Sequence, residues 1–156
     1  MSGLWEFLAS SGLRISCAES CTGGLIGAEI TSHPGASSYF MGSAVTYSNE
    51  SKTSVLGVPD GILIAYGAVS EQTAACMARG ARRLYSADVS VAVTGIAGPG
   101  GATDTKPVGL VYIAVSSEKG ESVEEHRFSG DRDEVRRQTV AAAISLLEKQ
   151  IQSRRF

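Results

Sequence analysis

The feature that most narrows the fold of this chain is the alternation of short apolar runs of strand-like spacing with glycine-marked turns and helix-like spacing. Residues 13–18 set Leu13, Ile15 and Cys17 against Arg14 and Ser16, a period of two. Gly23 and Gly24 follow, and Leu25, Ile26 and Ile30 then take up the spacing of a helix. The interleaving continues: a strand is predicted over 41–47, a short helix over 49–56, and a connection punctuated by Gly57, Pro59 and Gly61. Ser70 reads as the N-cap of a helix over 71–85, with Ala74, Met77, Ala78, Ala81 and Leu84 on its apolar face. Strands are predicted over 89–93 and 108–115 on either side of a glycine-rich loop, 94–105, and a charged edge strand over 122–128. Asp131 and Glu134 form a capping pattern for a last helix on Val140, Ile144, Leu147 and Ile151, with 152–156 read as a frayed tail. A helix over 2–11, closed by Gly12, opens the chain. The expected fold is α/β: a single layered domain over 1–156, its central mixed β-sheet flanked by helices.

Fourteen basic and sixteen acidic side chains leave a formal charge of −2, with the two signs interspersed. That balance disfavours binding driven by bulk phosphate attraction, so no nucleic acid partner is expected. Any anion must be met locally, by a particular Arg, a helix N-terminus or a nest of backbone N–H groups. Three cysteines and two histidines, without C-x-x-C or H-E-x-x-H spacing, predict no metal site. No organic cofactor is expected either. Residues 98–103, GPGGAT, lack the third glycine of a dinucleotide loop, and neither a P-loop nor the G-x-S-x-G elbow of α/β-hydrolases occurs. No apolar run approaches the ~18 residues of a membrane span, so no membrane association is expected. The opening residues lack a basic n-region and a continuous apolar h-region, which with the odd cysteine count predicts a reducing cytoplasm.

Glycine accounts for 18 of the 156 residues, above the usual ~7%, and much of the excess lies at Gly23, Gly24, Gly95, Gly98, Gly100 and Gly101. Glycines in loops after strands let backbone N–H groups approach a ligand, although ordinary turn-making explains either loop alone. The cluster 18-AESCTGG-24 places Glu19, Ser20, Cys21 and Thr22 between a strand end and a helix start. A hydroxyl there would sit beside N–H donors and the positive end of a helix dipole, which suits a nucleophile, an oxyanion site or a capped helix. In 45-VTYSNESK-52, Lys52 has the chemistry to act as base to a serine if burial lowers its pKa; a solvated surface lysine is the plainer alternative. Cys21 is a second candidate nucleophile, without a histidine in an obvious partner position. His33 and His126 read as surface groups, and Cys17 and Cys76 as core.

Taken together, AESCTGG, GSAVTYSNESK, GAVSEQTA, AVTGIAGPGGATDTKPVG and FSGDRDEVRRQT closely resemble the CinA C-terminal domain family, in order over about 13–147. The family's enzymes are nicotinamide mononucleotide deamidases, and the chain resembles their stand-alone form. The resemblance implies a cytoplasmic homo-oligomer, a homodimer in the family, that hydrolyses the carboxamide of a small-molecule substrate in pyridine nucleotide salvage. It places the serine nucleophile on Ser20, the assisting tyrosine and lysine on Tyr47 and Lys52, and a site threonine on Thr94. Arg132 falls near the substrate phosphate, with Arg136 one helical turn on. Thr22, Gly23, Gly24 and Gly95 are expected to supply binding or oxyanion N–H groups. Two alternatives stay open on the sequence: a catalytically silent regulatory module linked to competence or DNA damage, and a hydrolase of another small amide.

Overall fold

A computed structural model describes residues 2–154. Its elements are α1 (Ser2–Ser11), β1 (Ile15–Glu19), α2 (Leu25–Thr31), a 3-10 turn (Ala36–Ser38), β2 (Phe40–Val45), α3 (Asn49–Leu56), α4 (Asp60–Tyr66), α5 (Glu71–Leu84), β3 (Val89–Gly95), β4 (Leu110–Ser117), β5 (Gly120–Arg127) and α6 (Arg132–Arg154). The five strands form one sheet in the order β2-β1-β3-β4-β5. β1 pairs in parallel with both β2 and β3, and β4 and β5 add antiparallel strands on the far side. The sheet is mixed and sandwiched between helices, as the pattern of the sequence predicts.

The two faces of the sheet are built differently. One presents Ile15, Cys17, Val89, Val91, Val93, Val111, Ile113 and Val115, packed with Ile26, Ile30, Val135, Leu146 and Leu147 of α2 and α6. The other presents Ala18, Ala44, Ala92 and Ala114 against Ala74, Met77, Ala78 and Ala81 of α5. Small residues on both partners bring α5 close enough for the buried Ser16 hydroxyl to reach the Ala81 carbonyl at 3.2 Å and to hydrogen-bond Ser90. The same closeness recurs between helices. A Cβ at Gly80 would lie 2.1 Å from the Leu56 carbonyl oxygen, so only glycine fits where α5 crosses α3.

Ser70 caps α5 as expected, accepting from the Thr73 N–H at 3.1 Å. Several expectations are corrected. The punctuated segment after Gly57 contains a helix, α4: Asp60 sits at its positive end and Gly67, at φ 81°, closes it, so one internal glycine did not prevent it. Leu84, placed on the buried face of α5, is half exposed at the last residue of the helix. The fourth strand begins at Leu110, two residues late, because Gly109 turns at φ 92° with its backbone against that of Phe128. The tail is not frayed at 152–154, which continue α6; residues 155 and 156 lie outside the described residues. Among the described residues no helix is long and apolar enough to cross a membrane.

Candidate active site

From β1 the chain crosses to β2 on one side, and β3 later pairs on the other, so the connections diverge at the C-terminal end of β1. Diverging connections leave a crevice at strand ends, and ligands bind there in open α/β sheets. A cavity of about 200 Å³ lies at this point, lined by Ser20, Cys21, Tyr47, Lys52, Ala68, Val69, Thr94, Gly95, Ala97 and Arg132. The five motifs quoted from the sequence thus meet around one opening.

Lys52 is the centre of the arrangement. It lies in the first turns of α3, whose N-cap is Ser48, and only 1% of it is exposed. Its Nζ is 3.0 Å from Ser20 Oγ, 2.7 Å from the Thr46 carbonyl and 3.2 Å from the Tyr47 carbonyl. Burial without a carboxylate partner lowers its pKa to about 8, with the Cys21 thiol a smaller influence in the opposite direction. A neutral amine has two N–H bonds and one lone pair. With the two carbonyls taking the N–H bonds, the lone pair is left for the Ser20 hydroxyl.

Glu19, immediately before Ser20, is fully buried. One of its carboxylate oxygens accepts from Thr22 Oγ1 at 2.6 Å and from the N–H groups of Gly24 and Ile26 at 3.1 and 2.9 Å. The other accepts from the Gly27 N–H at 3.1 Å and from Ser43 Oγ at 2.6 Å. The donors at the start of α2, expected to face a ligand, are therefore taken by the protein's own carboxylate. The Gly23 N–H bonds the Ser20 carbonyl at 3.2 Å. Thr22 is fully buried, and Thr22, Gly23 and Gly24 do not line the cavity. Sequence reasoning placed Glu19 in the cluster and missed this role. The available signal was its position, at the end of a buried strand and directly before a polar turn.

The other expected residues divide. Thr94, the penultimate residue of β3, is buried, lines the cavity and donates from Oγ1 to the Ala68 carbonyl at 2.8 Å. Gly95 follows it, and a Cβ there would lie 2.6 Å from the Val111 side chain. Arg132 lines the cavity and donates to the Gly98 carbonyl at 2.8 Å and to the Tyr47 hydroxyl at 3.2 Å. Its sequence neighbours Asp131 and Asp133 are not among the ion pairs of the described residues. Arg136 does not line the cavity. It donates to the Cys21 and Thr22 carbonyls at 3.1 and 3.2 Å, holding the turn from outside. Tyr47 is 63% exposed, and it meets Lys52 through its main-chain carbonyl, with its hydroxyl turned to Arg132. Burial pushes the Cys21 thiol up to about 11, which keeps it protonated and a poor nucleophile at neutral pH. Among the described residues no group of three or more His, Cys, Asp or Glu is placed to hold a metal ion.

The family model for the CinA C-terminal domain matches residues 2–151. The chain belongs to this family. It is 49% identical over 143 residues to a CinA-like protein of Geobacter metallireducens, covering 92% of this chain and 35% of that relative. A CinA-like protein of Geobacter sulfurreducens is 49% identical over 140 residues, covering 90% and 34%. The chain thus spans about a third of the length of these curated relatives. Among solved structures, the competence/damage inducible protein CihA from Agrobacterium tumefaciens matches with a TM-score of 0.91 at 43% identity, over 94% of this chain and 90% of that one. The competence damage-inducible protein A from Klebsiella pneumoniae matches with a TM-score of 0.93 at 32% identity, over 97% and 94%.

Proposed function

We propose that this CinA-family domain is an amidohydrolase that converts nicotinamide mononucleotide to nicotinic acid mononucleotide and ammonia. The observation that carries the reading is the buried contact of Lys52 Nζ with Ser20 Oγ at 3.0 Å, in a lysine whose pKa is lowered to about 8 by burial. A serine hydroxyl is a weak nucleophile until a neighbouring base takes its proton, and a buried, partly neutral lysine is such a base.

In this reaction Ser20 Oγ attacks the carboxamide carbon while Lys52 Nζ accepts the hydroxyl proton. The carbonyls of Thr46 and Tyr47 then hold two of the three N–H bonds of the ammonium, so the third points back at the reacting centre. That proton passes to the departing nitrogen, ammonia leaves, and water cleaves the ester on Ser20 by the reverse use of the same lysine. Because Glu19 occupies the N–H groups of Gly24, Ile26 and Gly27, the oxyanion is to be met elsewhere. The backbone beside Thr94 lines the same cavity and is our candidate. The ring and its carboxamide enter the cavity, and the ribose phosphate lies at the mouth beside Arg132. Two of the N–H bonds of Arg132 are held by Gly98 and Tyr47, which orients the guanidinium and leaves the others for an anion. Subunit association and a cytoplasmic setting belong to the same proposal.

Ammonia release from the mononucleotide, from nicotinamide riboside and from free nicotinamide tests it. The mononucleotide should be turned over far faster than either of the others. Release from no substrate would leave the domain a silent module, and equal release from all three would make it an amidase that does not read the phosphate.

A further inference from the structure

We propose that Glu19 is a positioning residue for the Ser20 nucleophile: its carboxylate is the built-in anion of α2, and it sets the shape of the turn at 20–24. The proposal rests on Ser20 being the nucleophile, and not on which amide is hydrolysed.

Five hydrogen bonds converge on a carboxylate that is 0% exposed. Three of the donors are backbone N–H groups, which have no other way to interact than by donating. They fill both oxygens, so the group functions as an acceptor and a charge. The turn that carries Ser20 leaves Glu19 by its main chain and returns to it at Thr22 and Gly24, a loop closed on one side chain. Ser43 ties the same carboxylate to β2, beside the sheet pairing Glu19↔Val45 that leads into Tyr47 and Lys52. α2 approaches this closely because residue 27 is glycine: a Cβ there would lie 3.2 Å from Ser43 Cβ and 3.6 Å from Glu19 Oε2. On the opposite side Arg136 takes the Cys21 and Thr22 carbonyls. The turn is held through its donors by an anion and through its acceptors by a cation. The Ser20 hydroxyl, between the two, is left facing Lys52. Displacing a nucleophile by about 1 Å is enough to cost on the order of 100-fold in rate.

The test compares wild type, Glu19→Gln, Glu19→Asp and Ser43→Ala by kcat and KM for the mononucleotide, by pH profile, by melting temperature and by labelling of Ser20. The probe is phenylmethanesulfonyl fluoride, which forms an Oγ–S bond as the hydroxyl proton and fluoride depart, read by intact mass. In folded Glu19→Gln, kcat should fall roughly 30- to 100-fold with KM changed less than about threefold, and labelling should slow in parallel. The pH midpoint should stay in place, because Glu19 is not a partner of Lys52. Glu19→Asp, which restores the charge, should recover part of the rate. Ser43→Ala removes one donor of five and should slow turnover and labelling by about two- to fivefold; it decides the matter if Glu19→Gln does not fold. A lowered melting temperature with wild-type kcat and labelling in the folded protein would overturn the proposal and leave Glu19 a purely structural group. Labelling that depends on Glu19 in a protein without deamidase activity supports the positioning role and refutes the substrate alone. A wild type that neither turns over nor labels overturns both.

Discussion

Glu19 and Lys52 are two buried ionisable side chains on either side of Ser20, and they are treated in opposite ways. The carboxylate is saturated by five donors and faces away from the cavity, while the lysine meets two neutral carbonyls and one hydroxyl and borders it. Burying a charge is costly unless hydrogen bonds or opposite charges compensate it. Where donors occupy both oxygens, the group has no capacity left for a ligand and serves the architecture. Where compensation is incomplete, the neutral form gains ground and the group becomes a base within reach of physiological pH. Proximity to Ser20 therefore does not decide which of the two is able to act as a base; the number and kind of partners does.

Removing either half of the reactive pair has the largest effect. Ser20→Ala should lower deamidation by at least about 1,000-fold while the melting curve stays near wild type. Lys52→Arg should be nearly as inactive as Lys52→Ala, since a guanidinium keeps its proton. Wild-type-like turnover in the arginine variant would reduce Lys52 to a structural cation and end the contrast with Glu19.

Next is Arg132, the cation at the mouth. Loss of a charge-assisted contact to phosphate costs about 2 to 4 kcal/mol, so Arg132→Ala should lower kcat/KM on the mononucleotide roughly 30- to 1,000-fold. Hydrolysis of nicotinamide riboside should hardly change. Equal losses on both substrates would show that Arg132 supports the loop through Gly98 and does not read the phosphate.

The incomplete compensation of Lys52 also has a thermodynamic consequence. Its pKa is lowered from 10.5 in the unfolded chain to about 8 in the folded one. The folded state binds fewer protons between those values, so stability rises with pH from about 8 to 10.5, and the cost of burying the ammonium is present in full below 8. Lys52→Met should therefore raise the melting temperature at pH 7, by on the order of 5 °C, with the gain shrinking toward pH 10. A gain that grows with pH would contradict the assignment.

The smallest effects belong to the neighbours. Tyr47→Phe keeps the carbonyl that contacts Lys52 and loses only the hydroxyl on Arg132, so turnover should fall less than about fivefold, mostly in KM. Cys21→Ser, at a position whose thiol stays protonated, should retain most of the activity.

The sheet, the capped α5 and the meeting of Ser20 with Lys52 were legible in the sequence, for different reasons. Period-two runs of Val and Ile mark strands whose one face is covered by α2 and α6, and Ser70 followed by an amphipathic run marks a helix start. The Ser20–Lys52 pairing came from family resemblance, since two residues on separate elements carry no local sign of a shared cavity. α4 was not legible because it is two turns long and none of its residues is fully buried: Ile62 and Leu63 pack partly against the α5 cluster while Ile64 is 86% exposed, too few positions to register a helical period. The role of Glu19 was hidden because the donors it gathers lie from Thr22 to Ser43, and only the folded turn brings them to one carboxylate. The reading of Gly23 and Gly24 was misdirected as well, since the turn gives the Gly23 N–H to the Ser20 carbonyl and the Gly24 N–H to Glu19. Their N–H groups looked open from the sequence and are closed in the structure.

The claim that Lys52 is the base of Ser20 is tested most directly by the pH dependence of kcat/KM for the mononucleotide, measured on wild type and on Lys52→Arg. The account predicts a wild-type profile that climbs with rising pH, with a midpoint at about 8, as Lys52 loses its proton. The arginine variant should show only a low residual rate without that step. A wild-type profile flat from pH 6 to 9, or a step of the same midpoint surviving in Lys52→Arg, would contradict it.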